Sequence, residues 1–191
     1  HGGSDSWPGR AAERMVDMQR SSGILMPVFS LPSPYGIGTL GQAARTFVDF
    51  LKAAGQTWWQ ILPVGPTGYG DSPYQSFSAY AGNPYLIDLD LLREDGLLTQ
   101  AEIDSAFYGV LYQNRLAVLS IACHRGWKRD AEAVAQFSAE NRNWLPDYAL
   151  FMALKQHCGG KPWMRWPEDI RLRRREAVER YRKALSEDVA L

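Results

Sequence analysis

Residues 24–64 alternate a short apolar run, an amphipathic stretch with start and stop signals, and a second short apolar run. That pattern constrains the chain more than any other feature. The first run, Ile24 to Phe29, reads as a buried strand, although Pro27 withholds one backbone donor from any ladder. Thr39 with Gln42 fits a capping box that opens a helix. Leu40, Ala43, Ala44, Phe47, Val48, Leu51 and Ala54 fall at the spacing of one buried helical face. Gly55 stands where a left-handed C-cap belongs. Thr57 to Leu62, ended by Pro63, is the second buried strand. A strand, a helix and a strand in this order predict a parallel βαβ unit and an α/β fold.

Two strands and one helix leave sheet edges and one sheet face uncovered. The sequence opens without Met, and residues 174–191 read as one helix with no stop signal. The expectation is therefore a segment of a longer chain. Residues 1–20 are Gly/Ser/Pro-rich at the start and read as poorly ordered.

Beyond the unit, residues 65–88 read as a long irregular loop, and such loops tend to be functional. The remainder is mainly helical. Thr99 and Glu102 suggest a second capping box. Tyr112 to Cys123 is amphipathic and expected to end near Gly126, and residues 130–140 and 144–157 continue the helical pattern, the latter to Gly159-Gly160.

Composition limits the function classes. Lys plus Arg equals Asp plus Glu at 21 each, so no net field favours nucleic acid or an anionic membrane as partner. The run Arg171, Arg173, Arg174, Arg175 sits among Glu168, Asp169, Glu176 and Glu179, as a solvated helix start would. No apolar run approaches the roughly 18 residues that span a bilayer. Cys123 and Cys158 read as reduced structural thiols of a cytoplasmic protein. The three histidines form no metal-binding pattern, so neither a metal nor a cofactor is expected.

Three motifs invite chemistry. Gly36-Ile37-Gly38-Thr39-Leu40-Gly41 is a literal GxGxxG, which in a dinucleotide fold lets backbone approach a pyrophosphate. Here Pro32 and Pro34 make the turn too long and stiff, and Trp59-Gln60-Ile61-Leu62 stands where a ribose-binding acid belongs. Loop and helix-start glycines are the better reading. The window Tyr69 to Tyr85 interleaves aromatics with Asp, Ser, Gln and Asn. Such a surface can cover the apolar face of a sugar ring and bind its hydroxyl rim, or it can simply pack an ordered loop. Glycosyl transfer, finally, needs two carboxyl groups about 5–5.5 Å apart in retaining enzymes. Asp49, Glu94, Asp95, Glu102 and Asp104 read as solvated helix faces, and Asp71 and Asp88 as turn caps, so no catalytic residue is assigned.

Ser30-Leu31-Pro32-Ser33-Pro34-Tyr35-Gly36-Ile37-Gly38 resembles the opening motif of bacterial amylomaltases. So does Trp59-Gln60-Ile61-Leu62-Pro63-Val64-Gly65-Pro66-Thr67-Gly68, running into Asp71 to Pro84. Asp147 to Leu154 and Pro162 to Pro167 are similar as well, and the resemblance spans about residues 23–191. It implies the 4-α-glucanotransferase family (amylomaltase or disproportionating enzyme, glycoside hydrolase family 77) and the N-terminal part of a (β/α)₈ TIM barrel. Residues 21–88 would start the catalytic barrel with its first two strands and a substrate-binding loop. Residues 89–191 would form a helical insertion, leaving the barrel incomplete.

The resemblance further implies transfer of α-1,4-glucan segments by a retaining double displacement, with an Asp nucleophile, a Glu acid/base and a second Asp on later strands without counterparts here. Ser72 and Tyr74, with Asp71 beside them, match donor-side sugar contacts, Tyr74 as a stacking platform. Tyr69 and Tyr112 match two tyrosines of a second glucan groove. A maltooligosaccharide or starch-derived glucan is then the implied partner. Alternatives are a free-standing carbohydrate-binding module and an α-glucan hydrolase of the same barrel clan.

Overall fold

The computed structural model describes residues 20–68, 72–105 and 111–190. The segment 1–20, read as poorly ordered, lies outside these residues apart from Arg20. Strand β1, Gly23–Leu25, and strand β2, Trp58–Gln60, pair in parallel with Gly23 opposite Trp58. The 12-residue helix α1, Gln42–Ala53, connects them. The expected βαβ unit is present, with shorter strands than the apolar runs suggested. Met26 still donates its N–H to the Gln60 carbonyl at 3.0 Å. The Met26 carbonyl is taken by the Trp59 indole, the ladder goes no further, and Val28–Ser30 turns into a 3₁₀ helix.

Both strands were expected to be buried, and both are largely exposed: Leu25 is 56% and Trp58 64% accessible. Strands of parallel sheets are ordinarily covered on both faces. Here α1 covers one side only, through Ala44 and Leu51, with Ala43 and Phe47 partly buried. Leu40, Val48 and Ala54, expected on that face, point to solvent. Trp59 is held between the strand end and α1. Its indole donates to the Met26 carbonyl at 2.8 Å, and its ring meets Phe47 edge-on at 5.1 Å.

The helix stop at Gly55 is as expected. Gly55 takes φ +68°, its N–H reaches Lys52, and the Gln56 N–H reaches Leu51, the paired bonds of a Schellman motif. The start differs. Gly41 is the N-cap of α1 and Thr39 caps nothing; its buried hydroxyl donates instead to the Asp88 carboxylate.

The rest is helical: α2 Leu89–Glu94, α3 Gln100–Ser105, α4 Leu111–Arg129, α5 Ala131–Glu140, α6 Leu145–His157, α7 Glu168–Arg171, α8 Arg175–Ala184 and α9 Ser186–Ala190. Helix α4 runs through Gly126 rather than ending there, and Leu97 packs beside it, its Cδ1 at ordinary contact distance, 3.7 Å, from where a Cβ would lie. Residues 174–191 are not one helix: Leu185 breaks the run between α8 and α9 and is buried against α6. The Arg171–Arg175 run is solvated and ion-paired, Arg173 with Asp147, Arg174 with Glu168 and Arg175 with Glu179.

Apolar burial falls into three clusters. Val28, Leu31, Ala44 and Leu86 join α1 to the two loops that leave the strands. Leu89, Leu97, Leu98, Ile103, Val118 and Ala122 join α2, α3 and α4, with Tyr35 inserted from the loop after β1. Leu150, Ala153, Leu154, Trp166, Ile170, Ala177 and Leu185 form the C-terminal helical cluster.

Candidate functional site

Because β1 and β2 run parallel in register, the loops that follow them leave the same edge of the sheet. In α/β folds ligands collect at that edge, outside the C-terminal ends of the strands. The two loops are tied together: the Leu40 N–H donates to the Leu86 carbonyl at 2.9 Å, and Thr39 bonds Asp88.

Asp88 organises this junction. One carboxylate oxygen caps α2 by accepting the Leu91 N–H at 3.0 Å, while the other takes the Thr39 hydroxyl. A Cβ on Gly41 would lie only 1.9 Å from Asp88 Oδ2. The carboxylate thus sits against the first turn of α1, where the helix dipole favours negative charge. Asp88 against Gly41, the Val28 carbonyl against Gly38 and the positive φ of Gly36 account for the GxGxxG as packing and turn geometry. Asp88 acts as a turn cap, as its sequence context suggested.

Arg115 of α4 lies beside Asp88 and is only 2% exposed. Its guanidinium donates to the Ile87 carbonyl at 2.5 Å, while its Nε has no hydrogen-bond partner among the described residues. Burial makes its charge harder to hold, and Asp88 opposes that effect. Tyr35 packs nearby, its hydroxyl pKa raised by burial and by a hydrogen bond to Asp90. This buried Arg was not evident in the sequence: at an Arg in an amphipathic stretch, the usual expectation is exposure.

The loop after β2 returns to its origin. The Asn83 N–H reaches the Val64 carbonyl at 2.7 Å, Asn83 caps the turn Pro84–Leu86 through the Tyr85 N–H, and Ser76 packs against Gly65. Within it the Gln75 N–H closes a turn on the Ser72 carbonyl at 3.1 Å, so Ser72 and Tyr74 share one tight turn. Tyr74 projects from it 74% exposed. Asp71 and Tyr69 lie outside the described residues. Tyr112 falls in the first turn of α4, and its side chain lies outside the described ones.

Phe77 and Tyr80 of the loop pack onto α6 and its N-cap. Phe77 approaches Tyr148 at 6.5 Å and Phe151 at 5.6 Å, and Lys155 Nζ sits 4.2 Å from its ring centroid. Tyr80 stacks on Trp144 at 5.5 Å. Sequence reasoning left Trp144 and Tyr148 unassigned. Their four-residue helical spacing was the available signal, but it does not reveal which loop they meet.

Several of the described acids are paired with basic residues, among them Glu102 with Arg125, Asp130 with Arg129 and Asp169 with Arg180. Among the described residues no group of three His, Cys, Asp or Glu could hold a metal ion. Cys123 and Cys158 are not joined by a disulfide. No helix among those residues is long and apolar enough to cross a membrane.

A parallel βαβ unit with an aromatic, hydroxyl-rich loop at the C-terminal edge of its strands, backed by a helical layer, defines an α/β protein. The chain belongs to the 4-alpha-glucanotransferase family, whose sequence profile matches residues 26–191. It is 50% identical over 187 residues to a 4-alpha-glucanotransferase of Thermus thermophilus, covering 92% of this chain and 37% of that protein. It is 47% identical over 173 residues to one of Clostridium butyricum, covering 86% of this chain and 36% of that one. Among solved structures it resembles the amylomaltase of Streptococcus agalactiae in complex with acarbose. There the TM-score is 0.84 at 41% identity, over 90% of this chain and 37% of the other. The chain thus spans a little over a third of the length of these relatives.

Proposed function

We propose that this chain supplies substrate-binding surface to a 4-α-glucanotransferase, which transfers segments of an α-1,4-glucan to an acceptor by a retaining double displacement. The observation that carries the reading is the family match across residues 26–191, which includes the whole aromatic loop. In this reading β1 and β2 are the first two strands of a (β/α)₈ barrel. Residues 21–88 begin that barrel, and 89–191 are a helical insertion. The exposed strand faces support it, since barrel strands are covered by sequence this chain does not contain. A cytoplasmic location fits the two reduced cysteines.

Ser72 and Tyr74 are the donor-side sugar contacts, with Asp71 beside them, and Tyr69 and Tyr112 are contacts of a second groove. Exposure of Tyr74 on a closed turn supports its role, because a held ring offers a stacking face with little ordering cost on binding. The chemistry itself belongs to carboxylates outside this chain.

Calorimetric titration of the chain with maltoheptaose tests the reading. Tyr74→Ala is expected to lose about 1–3 kcal/mol of binding free energy, a combined effect of stacking and area burial. Equal affinities would remove Tyr74 from the site.

A further inference from the structure

The loop aromatics carry a second feature, distinct from Tyr74 and from the tyrosine pair assigned to a second groove. Tyr80 rests on Trp144, the N-cap residue of α6, with ring centroids 5.5 Å apart and planes inclined by 18°. Trp144 meets Tyr148 at 5.9 Å. With Phe77, Ser78 and Asp147 these rings line an open groove of about 320 Å³. That size lies at the lower end of small-molecule sites.

Tyr80 is fixed yet uncovered. Ser78 Oγ accepts the N–H groups of Tyr80 and Ala81 at 3.2 and 3.0 Å, which holds the backbone beneath the ring. The Trp144 indole donates to Asn141 at 2.9 Å, which orients the surface Tyr80 leans on. One face of Tyr80 is therefore backed by an immobilised indole, yet the residue remains 69% exposed. An unsupported surface tyrosine would lose more rotamer freedom on binding. At the rim Asp147 accepts from Arg173 at 3.0 Å, with Arg182 at 3.7 Å. The Asp147 carboxylate at the rim offers hydrogen-bond acceptors to the hydroxyls of a sugar ring.

We propose that the groove between Tyr80 and α6 is an additional glucan-binding subsite, where a pyranose ring of an α-1,4-linked chain stacks on Tyr80. The proposal rests on the glucan reading of the 72–85 loop. It extends that reading to a second platform on the same loop, built jointly with the helical layer.

Titration of the 191-residue chain with maltoheptaose, comparing the unsubstituted protein with Tyr80→Ala, Tyr80→Phe and Tyr74→Ala, tests it. Tyr80→Ala should weaken binding roughly three- to tenfold and Tyr80→Phe should restore it, because stacking needs the ring and not the hydroxyl. The maltoheptaose-induced change in tryptophan fluorescence should shrink in Trp144→Phe, a readout that does not depend on Tyr80→Ala being folded. Unchanged affinity in Tyr80→Ala beside a loss in Tyr74→Ala overturns the subsite and leaves the glucan reading standing. An undiminished fluorescence change in Trp144→Phe also overturns the subsite. No binding by the unsubstituted chain overturns both.

Discussion

Gly41 and Gly82 differ in what stands beside them. A methyl group at Gly41 would enter the Asp88 carboxylate, whereas nothing lies within 4 Å of one at Gly82. Gly41→Ala should therefore cost about 1–3 kcal/mol of stability, as overpacking does. Gly82→Ala should stay within about 0.5 kcal/mol of neutral. Urea midpoints of the two variants check the contrast. Capping chemistry shows how far local sequence reads. Thr99 and Glu102 form the reciprocal box their spacing suggested, Glu102 accepting the Thr99 N–H at 2.8 Å and Thr99 Oγ1 accepting the Glu102 N–H at 3.3 Å. Thr39 and Gln42 have the same spacing and form none, because Asp88 takes the Thr39 hydroxyl from 49 positions away. Glu102 also has a pH signature. The Arg125 guanidinium, then the Thr99 donors, lower its pKa from 4.5 to about 2. A carboxylate depressed on folding stabilises above its unfolded pKa, and that contribution is lost as pH falls from about 4.5 to about 2. Glu102→Gln should flatten the decline of urea midpoint across that window; a decline as steep as that of the unsubstituted chain would assign it to other carboxylates.

At the scale of elements, the helices differ in what they hold together. Ile103 of α3 is fully buried between α2 and α4, so Ile103→Ala should cost about 2–5 kcal/mol. In α5, which contains no buried residue, Phe137→Ser should change stability by less than about 0.5 kcal/mol. Thermal melts of both variants measure the difference. Arg115 pins α4 to Ile87 at the end of the aromatic loop. Arg115→Ala leaves a cavity and an unpaired carbonyl, while Arg115→Met keeps the volume and removes the buried charge. The methionine variant should be the more stable of the two. Helix identities and the Gly55 stop were legible, since periodicity and turn chemistry are local. The break at Leu185 was not, since burial of that residue in the α6 cluster accompanies it, and the continuation of α4 past Gly126 was missed as well.

For the whole molecule, the exposed apolar surface is the dominant feature. Ile24, Leu25, Trp58 and Ile61 on and beside the strands, with Val48 and Phe50 on α1, remain accessible. Apolar patches of this kind mark surfaces that another segment or molecule covers. The chain should bind ANS strongly and sediment with concentration-dependent mass; weak dye binding and a constant monomer mass would mean that the patch is covered in solution. Incubated with maltotriose, the chain should release no glucose, because the catalytic carboxylates of the family reading lie outside it. Sustained release by rigorously purified protein would place catalysis on acids within residues 1–191.

Local pattern was enough to specify the parallel βαβ unit, the helical remainder, the left-handed stop at Gly55 and the aromatic loop, along with the family. These follow from periodicity, turn residues and contiguous motifs, all of which act over a few positions. Long-range packing set Asp88 against the start of α1, buried Arg115 beside it and leaned Tyr80 on Trp144. Each of these joins residues 27 to 64 positions apart in sequence. Such pairs are chosen by which surfaces exclude water together, and local pattern carries no record of that choice.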